Sequence, residues 1–182
     1  MTFSLDRSVD ILARTPDVLN AFLRNASDEW ITGKEPPNGW SPFDIVAHLI
    51  QGEETNWLQR LRTILYEGEG EMFKPFDRVA QFENSQGRTL ADLLDTFARL
   101  RRRNLDELVH MQLTPSQFDL RGTHPDFGTV TLGQLIAAWV VHDLNHIAQI
   151  ARAMAKQYAE EVGPWAAYLP LLGDRLPATE QA

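Results

Sequence analysis

One unbroken stretch of helical periodicity, Thr131 to Tyr158, constrains this chain more than any other. Leu132, Leu135, Ile136, Trp139, Ile147, Ile150 and Met154 recur at helical spacing, and Thr131 stands where an N-cap belongs. So long an apolar face has to be covered along its length by other helices. The same stretch carries His142 and His146 one turn apart. Two imidazoles at i and i+4 share a side of a helix and can hold one metal ion. Histidines that merely sit satisfied in a core are the competing reading, and spacing alone does not separate the two.

The rest of the chain supplies the partners. Leu5, Val9, Leu12, Val18, Leu19, Phe22 and Leu23 mark a first helix over Leu5 to Asn25, with Thr15-Pro16 as either a kink or a fresh start. Trp30 to Trp40, with two glycines and two prolines, reads as a loop. Ser41-Pro42 is a helix start, and the helix runs to about Tyr66 with Phe43, Val46, Ile50, Trp57, Leu61 and Ile64 as its stripe. Glu67 to Arg88 is a long acidic connection, of the kind that is often functional or mobile. Thr89 to about Met111 is a third helix carrying Leu90, Leu93, Leu94, Phe97, Leu100, Leu105 and Leu108. Thr114 to Val130 reads as a second loop, and no strand alternation is evident. Trp165, Tyr168, Leu169, Leu171 and Leu172 form a short C-terminal helix packed across the bundle, with fraying beyond Gly173. Four main helices make an all-α four-helix bundle, with residues 1–173 as one domain and 174–182 as a tail.

Two further residues bear on the histidine pair. At roughly 100° per residue His48 falls opposite its helix's apolar stripe, beside Asp44, Gln51, Gly52, Thr55 and Gln59. His48 is the natural third ligand, and a solvent-exposed surface histidine is the alternative. Gly52, one turn on, leaves room for a ligand beside a metal, and Gln51 and Thr55 are placed to contact substrate. Asp143 points into the middle of the apolar face between Trp139 and Ile147, where an unpaired carboxylate is expensive. It either accepts an N–H from a metal-bound imidazole or makes a structural bond to a neighbouring element. Three neutral imidazoles leave a coordination position open, as in catalytic sites. Zinc, nickel, iron and copper all suit such a set. His110 and His124 look less committed: one ends a helix, the other sits in a Gly/Pro loop.

Composition removes other classes. The chain has no cysteine, which excludes disulfides, thiolate ligands and a cysteine nucleophile. A net charge of -8 over 182 residues argues against nucleic-acid binding. Arg99, Arg101, Arg102 and Arg103 form the one basic cluster, read as a solvated helix face. Met1 to Asn20 alternates charged and apolar residues, unlike a signal peptide, and no apolar run approaches the ~20 residues of a membrane span. The expectation is a cytoplasmic protein.

WSPFDIVAHLIQGEETNW, followed far downstream by HPDFGTVTLGQLIAAWVVHDLNHIAQIAR, resembles the DinB-like (DinB/YfiT) superfamily of metal-binding four-helix bundles. The resemblance spans roughly Leu5 to Tyr158 and rests on a W-S-P-x-D-x-x-x-H start and an H-D-x-x-H-x-x-Q stretch. It implies an up-up-down-down bundle with a long crossover, a metal triad of His48, His142 and His146, and a homodimer, for which the surroundings of Trp139 and Trp165 are the apolar candidates. It also implies thiol chemistry, because the best understood branches activate the sulfur of a low-molecular-weight thiol.

Three functions follow as expectations. The first is a metal-dependent small-thiol S-transferase, with Asp143 orienting a ligand and a small-molecule electrophile entering beside Gly52. The second is a metal-dependent hydrolase that activates water. The third is a stress-linked metal-binding or scaffold protein without turnover, for which the acidic Glu67 to Glu83 segment serves a partner rather than acting as a lid.

Overall fold

The computed structural model describes residues 3–34 and 39–173. Helix α1 spans Leu5–Leu23, started by Ser4, whose hydroxyl accepts from the Arg7 amide. It runs through Pro16 without a fresh start. A short α2, Asp28–Thr32, begins the segment read as loop. Helix α3 is Pro42–Thr55, closed at its start by a reciprocal capping box between Ser41 and Asp44. The helix expected to continue to Tyr66 breaks at Asn56 and resumes as α4, Trp57–Tyr66. A short α5, Ala80–Asn84, lies in the acidic connection. Helix α6 is Leu90–His110 and α7 is Leu132–Lys156, each with its own capping box, Thr89/Asp92 and Thr131/Gln134. Two 3₁₀ turns, Gly163–Tyr168 and Pro170–Leu172, follow, with Trp165 and Tyr168 turned to solvent. The tail 174–182 and the two prolines of the 30–40 segment lie outside the described residues.

The four long units form the bundle. Helix α1 packs against α6 and α7, and α3 packs against the same two from the other side. The first two units are thus diagonal, each flanked by the last two, the neighbour relation of an up-up-down-down bundle. Two apolar clusters share the interior. One gathers Leu19, Leu23, Ile45, Leu49, Phe97 and Ile150. The other gathers Leu12, Trp57, Leu61, Leu108, Ile136 and Trp139. Along each helix the polar residues Glu53, Arg101 and Asp143 fall between these clusters in sequence, and all three are buried. No helix among the described residues is long and apolar enough to cross a membrane.

The stretch 114–130 is not all loop. Arg121–His124 (β1) and Gly128–Thr131 (β2) pair antiparallel, Gly122 opposite Val130 and His124 opposite Gly128. Gly128 sits at φ 71°, the left-handed conformation that glycine adopts without strain. Gly122 has a different reason: a Cβ there would lie 2.7 Å from Ile64 Cγ1 and 3.0 Å from the Phe73 ring. The hairpin grips the acidic connection, since Thr123 accepts from the Phe73 amide (2.9 Å) and its hydroxyl donates to Glu69 O (3.1 Å). Both segments are thereby fixed over one side of α3, α4 and α7.

Candidate metal centre

His48 on α3 and His142 and His146 on α7 meet where those helices pack. One ring nitrogen from each lies within 4.8 Å of the other two. His142 Nε2 is 3.1 Å from both His48 Nε2 and His146 Nε2. His48 and His146 are 8% and 7% exposed, and His142 is half-buried. The surface-histidine alternative for His48 therefore fails, although the wheel placed it on the correct face. That face points away from the main apolar stripe but is covered by Trp40 (ring centroids 4.8 Å) and Phe76 (5.4 Å).

Two glutamines set the rings. His48 Nδ1 lies 2.8 Å from Gln81 Oε1 and His146 Nδ1 lies 2.9 Å from Gln149 Oε1. An amide oxygen only accepts, so each Nδ1 carries the proton and donates. Each Nε2 is left with its lone pair facing the third histidine, the tautomer a metal ligand requires. Burial first, then the neighbouring imidazole of His142, pushes His48 down to about 4. Burial, His142 and His48 push His146 down to about 3. Both are neutral at physiological pH. Three imidazole nitrogen donors, those of His48 and His146 neutral and pre-oriented, fit a divalent ion such as zinc or nickel. Gln149 belongs to the H-D-x-x-H-x-x-Q stretch, but Gln81 sits on a five-residue helix that carries no periodicity to single it out.

Asp143 is fully buried and belongs to a different set of contacts. Arg101, 1% exposed, donates to both its oxygens at 2.5 and 3.0 Å and to Glu53 Oε1 at 2.8 and 3.1 Å. Arg101 also reaches Leu12 O (2.8 Å), while Asn104 and the Trp139 indole N–H complete Glu53. His142 Nδ1 is 4.0 Å from Asp143 Oδ1, too far for a hydrogen bond, and has no other partner. The carboxylate is thus committed to Arg101 rather than to an imidazole. Burial opposes its ionisation, but the nearby His142 ring and the Arg101 guanidinium outweigh burial and hold its pKa low. For Arg101, burial opposes the charge, and Glu53 and Asp143 reverse the effect and raise its pKa. Arg101 accordingly leaves the basic cluster, whereas Arg99, Arg102 and Arg103 stay exposed.

The histidines open into a cavity of about 440 Å³. Gly52 lines it as expected, and a Cβ there would press on Trp57 Nε1 at 3.1 Å. Gln51 and Thr55 are placed elsewhere. Gln51 is buried and accepts from Asn84 Nδ2 (3.2 Å), and Thr55 is exposed with its hydroxyl on Gln51 O (2.8 Å). The cavity takes instead Asn56, Arg60, Phe76, Arg78 and His124. His124 stacks on Phe127 at 4.4 Å and is brought there by the hairpin. His110 is exposed at the end of α6, its Nδ1 donating to Asp106 O. Trp139 is buried within the chain, against Trp57 at 5.6 Å, which removes it from any interface between copies.

A helical bundle with a histidine triad at one helix–helix seam is the class defined so far. The profile of the DinB superfamily matches residues 11–150, and the chain belongs to that superfamily. Among solved structures it is similar to YfiT from Bacillus subtilis, 24% identical over 86% of this chain and 90% of that one, with a TM-score of 0.73. That protein is described as a probable metal-dependent hydrolase with an unusual four-helix bundle topology. No curated relative matches the sequence.

Proposed function

We propose that the chain is a metal-dependent enzyme that holds one divalent ion on His48, His142 and His146 and uses it in small-thiol S-transfer. The observation that carries the reading is the convergence of three ring nitrogens at the floor of a cavity large enough for a small molecule. A divalent ion held by these three histidines would raise the acidity of a bound thiol or water. Gln81 and Gln149 keep the lone pairs of His48 and His146 directed inward. Trp40 and Phe76 exclude water on one flank of His48. Asp143 acts on His142 by charge across 4.0 Å, while Arg101 holds it in place. The cavity argues against a purely structural or scaffold metal, which protein groups would enclose.

Thiol chemistry is preferred over hydrolysis because of the carboxylates. Water starts far less acidic than a thiol, so hydrolysis gains more from a carboxylate base beside the metal, and Asp126 is the only carboxylate among the described residues lining the cavity. It sits 3.9 Å from His124 at the rim. A thiol, with an ordinary pKa of about 8.5, needs no separate base once its acidity is raised. Hydrolysis stands as the second reading because it is the description attached to YfiT. Zinc- and nickel-loaded protein is to be incubated with a thiol panel and a haloarene, and thiol and product followed by mass spectrometry. Metal-dependent conjugation with at least one thiol is expected. No consumption of any thiol, together with turnover of an ester, amide or phosphoester, would transfer the assignment to hydrolysis.

A further inference from the structure

His124 looks uncommitted in the sequence, and the proposed metal does not use it. It ends β1, and the hairpin carries it into the cavity of the triad with its side chain 12% exposed. Phe127 stacks on the ring (4.4 Å) and Phe73 meets it edge to face (6.0 Å). The Asp126 amide donates to His124 Nδ1 at 3.1 Å. A backbone N–H only donates, so Nδ1 carries the lone pair and Nε2 the proton. This is the opposite tautomer to His48 and His146, whose Nδ1 atoms donate to glutamine oxygens. Burial, then the charge of Arg60, lowers the His124 pKa against the pull of Asp126, which keeps the ring neutral. Among the described residues nothing accepts from Nε2–H, and that atom is not sealed inside the chain. In this tautomer the ring does not ligate a metal; it is a fixed, neutral donor.

We infer that His124 is a substrate-binding residue whose Nε2–H holds an uncharged carbonyl oxygen on an aromatic electrophile. What then happens to the bound molecule rests on the proposed function, but the binding does not need the metal. Charge does not select at this wall. Arg60 shares the lining with Asp126, which answers its charge, and Arg78 has a partner of its own. An N–H that a ligand cuts off from water needs an acceptor in return, and a neutral acceptor suits a neutral donor. Trp40 and Phe76 line the same cavity and offer their faces to a flat apolar body. Donor and rings together fit a carbonyl carried on an aromatic ring.

The test uses acetophenone and α-methylstyrene, in which a methylene replaces the carbonyl oxygen with little change of shape, on the full-length metal-free protein. Side-chain nitrogen resonances of the histidines, in a long-range proton–nitrogen correlation spectrum, report both tautomer and contact. His124 is expected with Nε2 protonated and Nδ1 bare before any ligand is added. Acetophenone should shift Nε2 saturably and bind on the order of fivefold more tightly than α-methylstyrene, the worth of one hydrogen bond. His124→Phe keeps the stacked ring and should erase that preference. His124→Gln puts an amide N–H near the place of Nε2 and should restore part of it. Should His124→Phe fail to fold, the nitrogen shifts of the wild type decide alone. His124 protonated on Nδ1, equal binding of the two probes, no saturable binding, or a preference that survives His124→Phe overturns the inference. Benzoate displacing acetophenone at lower concentration than benzamide does overturns the uncharged class. N-acetylcysteamine doing so moves the carbonyl to the thiol and overturns its place on the electrophile. Zinc uptake is measured on portions of the same samples. Carbonyl-selective binding without zinc uptake sinks the metal reading and keeps the role of His124, and zinc uptake without carbonyl selectivity does the reverse.

Discussion

At the scale of single residues, the histidines are suited to bind a metal because other side chains fix their protons. Gln81 and Gln149 each take an Nδ1–H and leave Nε2 facing the centre. Gln81→Ala is expected to weaken metal affinity about 10–100-fold without changing the ligand set. Competition with a chromophoric chelator measures this, and an unchanged affinity would remove Gln81 from the site. Arg101 carries a different load, joining two buried carboxylates. Arg101→Met leaves Glu53 and Asp143 buried and uncompensated, and should cost about 3–5 kcal/mol in urea unfolding. The triad itself was legible, since helical spacing places His142 with His146 and the wheel sets His48 off the main stripe. The partner of Asp143 is legible by the same wheel. Arg101 lies one turn from both Phe97 and Leu105, inside the stripe, and charge alone obscures this by grouping it with Arg99, Arg102 and Arg103. Gln81 left no signal, because a side chain on a five-residue helix gains its meaning from tertiary contact alone.

At the scale of elements, the long helices follow from their starts. Ser41, Thr89 and Thr131 each precede an apolar period and each closes a capping box. Hydrogen bonds from the Thr89 hydroxyl and amide hold the Asp92 carboxyl below its usual pKa. A carboxyl depressed on folding stabilises above its unfolded pKa, ~3.9, and that contribution is lost as pH falls through the lower folded value. Asp92→Ala should therefore lower the melting temperature at neutral pH, and the gap from wild type should close in strong acid. A gap independent of pH would contradict the assignment. The hairpin was missed because four-residue strands are too short to show alternation and Gly122, Pro125 and Gly128 dominate the pattern. Gly122→Ala forces a methyl against Ile64 and Phe73. It should cost about 1–3 kcal/mol, and it should disturb the His124 side of the cavity while leaving the histidine triad in place. The break at Asn56 was likewise unread, since the apolar stripe continues across it from Ile50 to Trp57.

At the scale of the whole molecule, the bundle buries two apolar clusters, a polar layer of Glu53, Arg101 and Asp143 between them in sequence, and a histidine seam between α3 and α7. The acidic connection read as a lid or partner segment packs back on the site, giving Gln81 to His48 and Phe76 and Arg78 to the cavity. A ligand that joins two helices of the folded chain stabilises it by mass action. Zinc at 100 times its dissociation constant should add about 2.7 kcal/mol, so chelation should lower the melting temperature reversibly. The most direct test of the account is metal content by mass spectrometry, measured on the wild type and on His48→Ala, His142→Ala and His146→Ala after equal exposure to zinc and dialysis. The account predicts about one equivalent in the wild type and a large loss in each variant, with helicity unchanged by circular dichroism. Stoichiometric zinc retained by all three variants, or none taken up by the wild type, would contradict it.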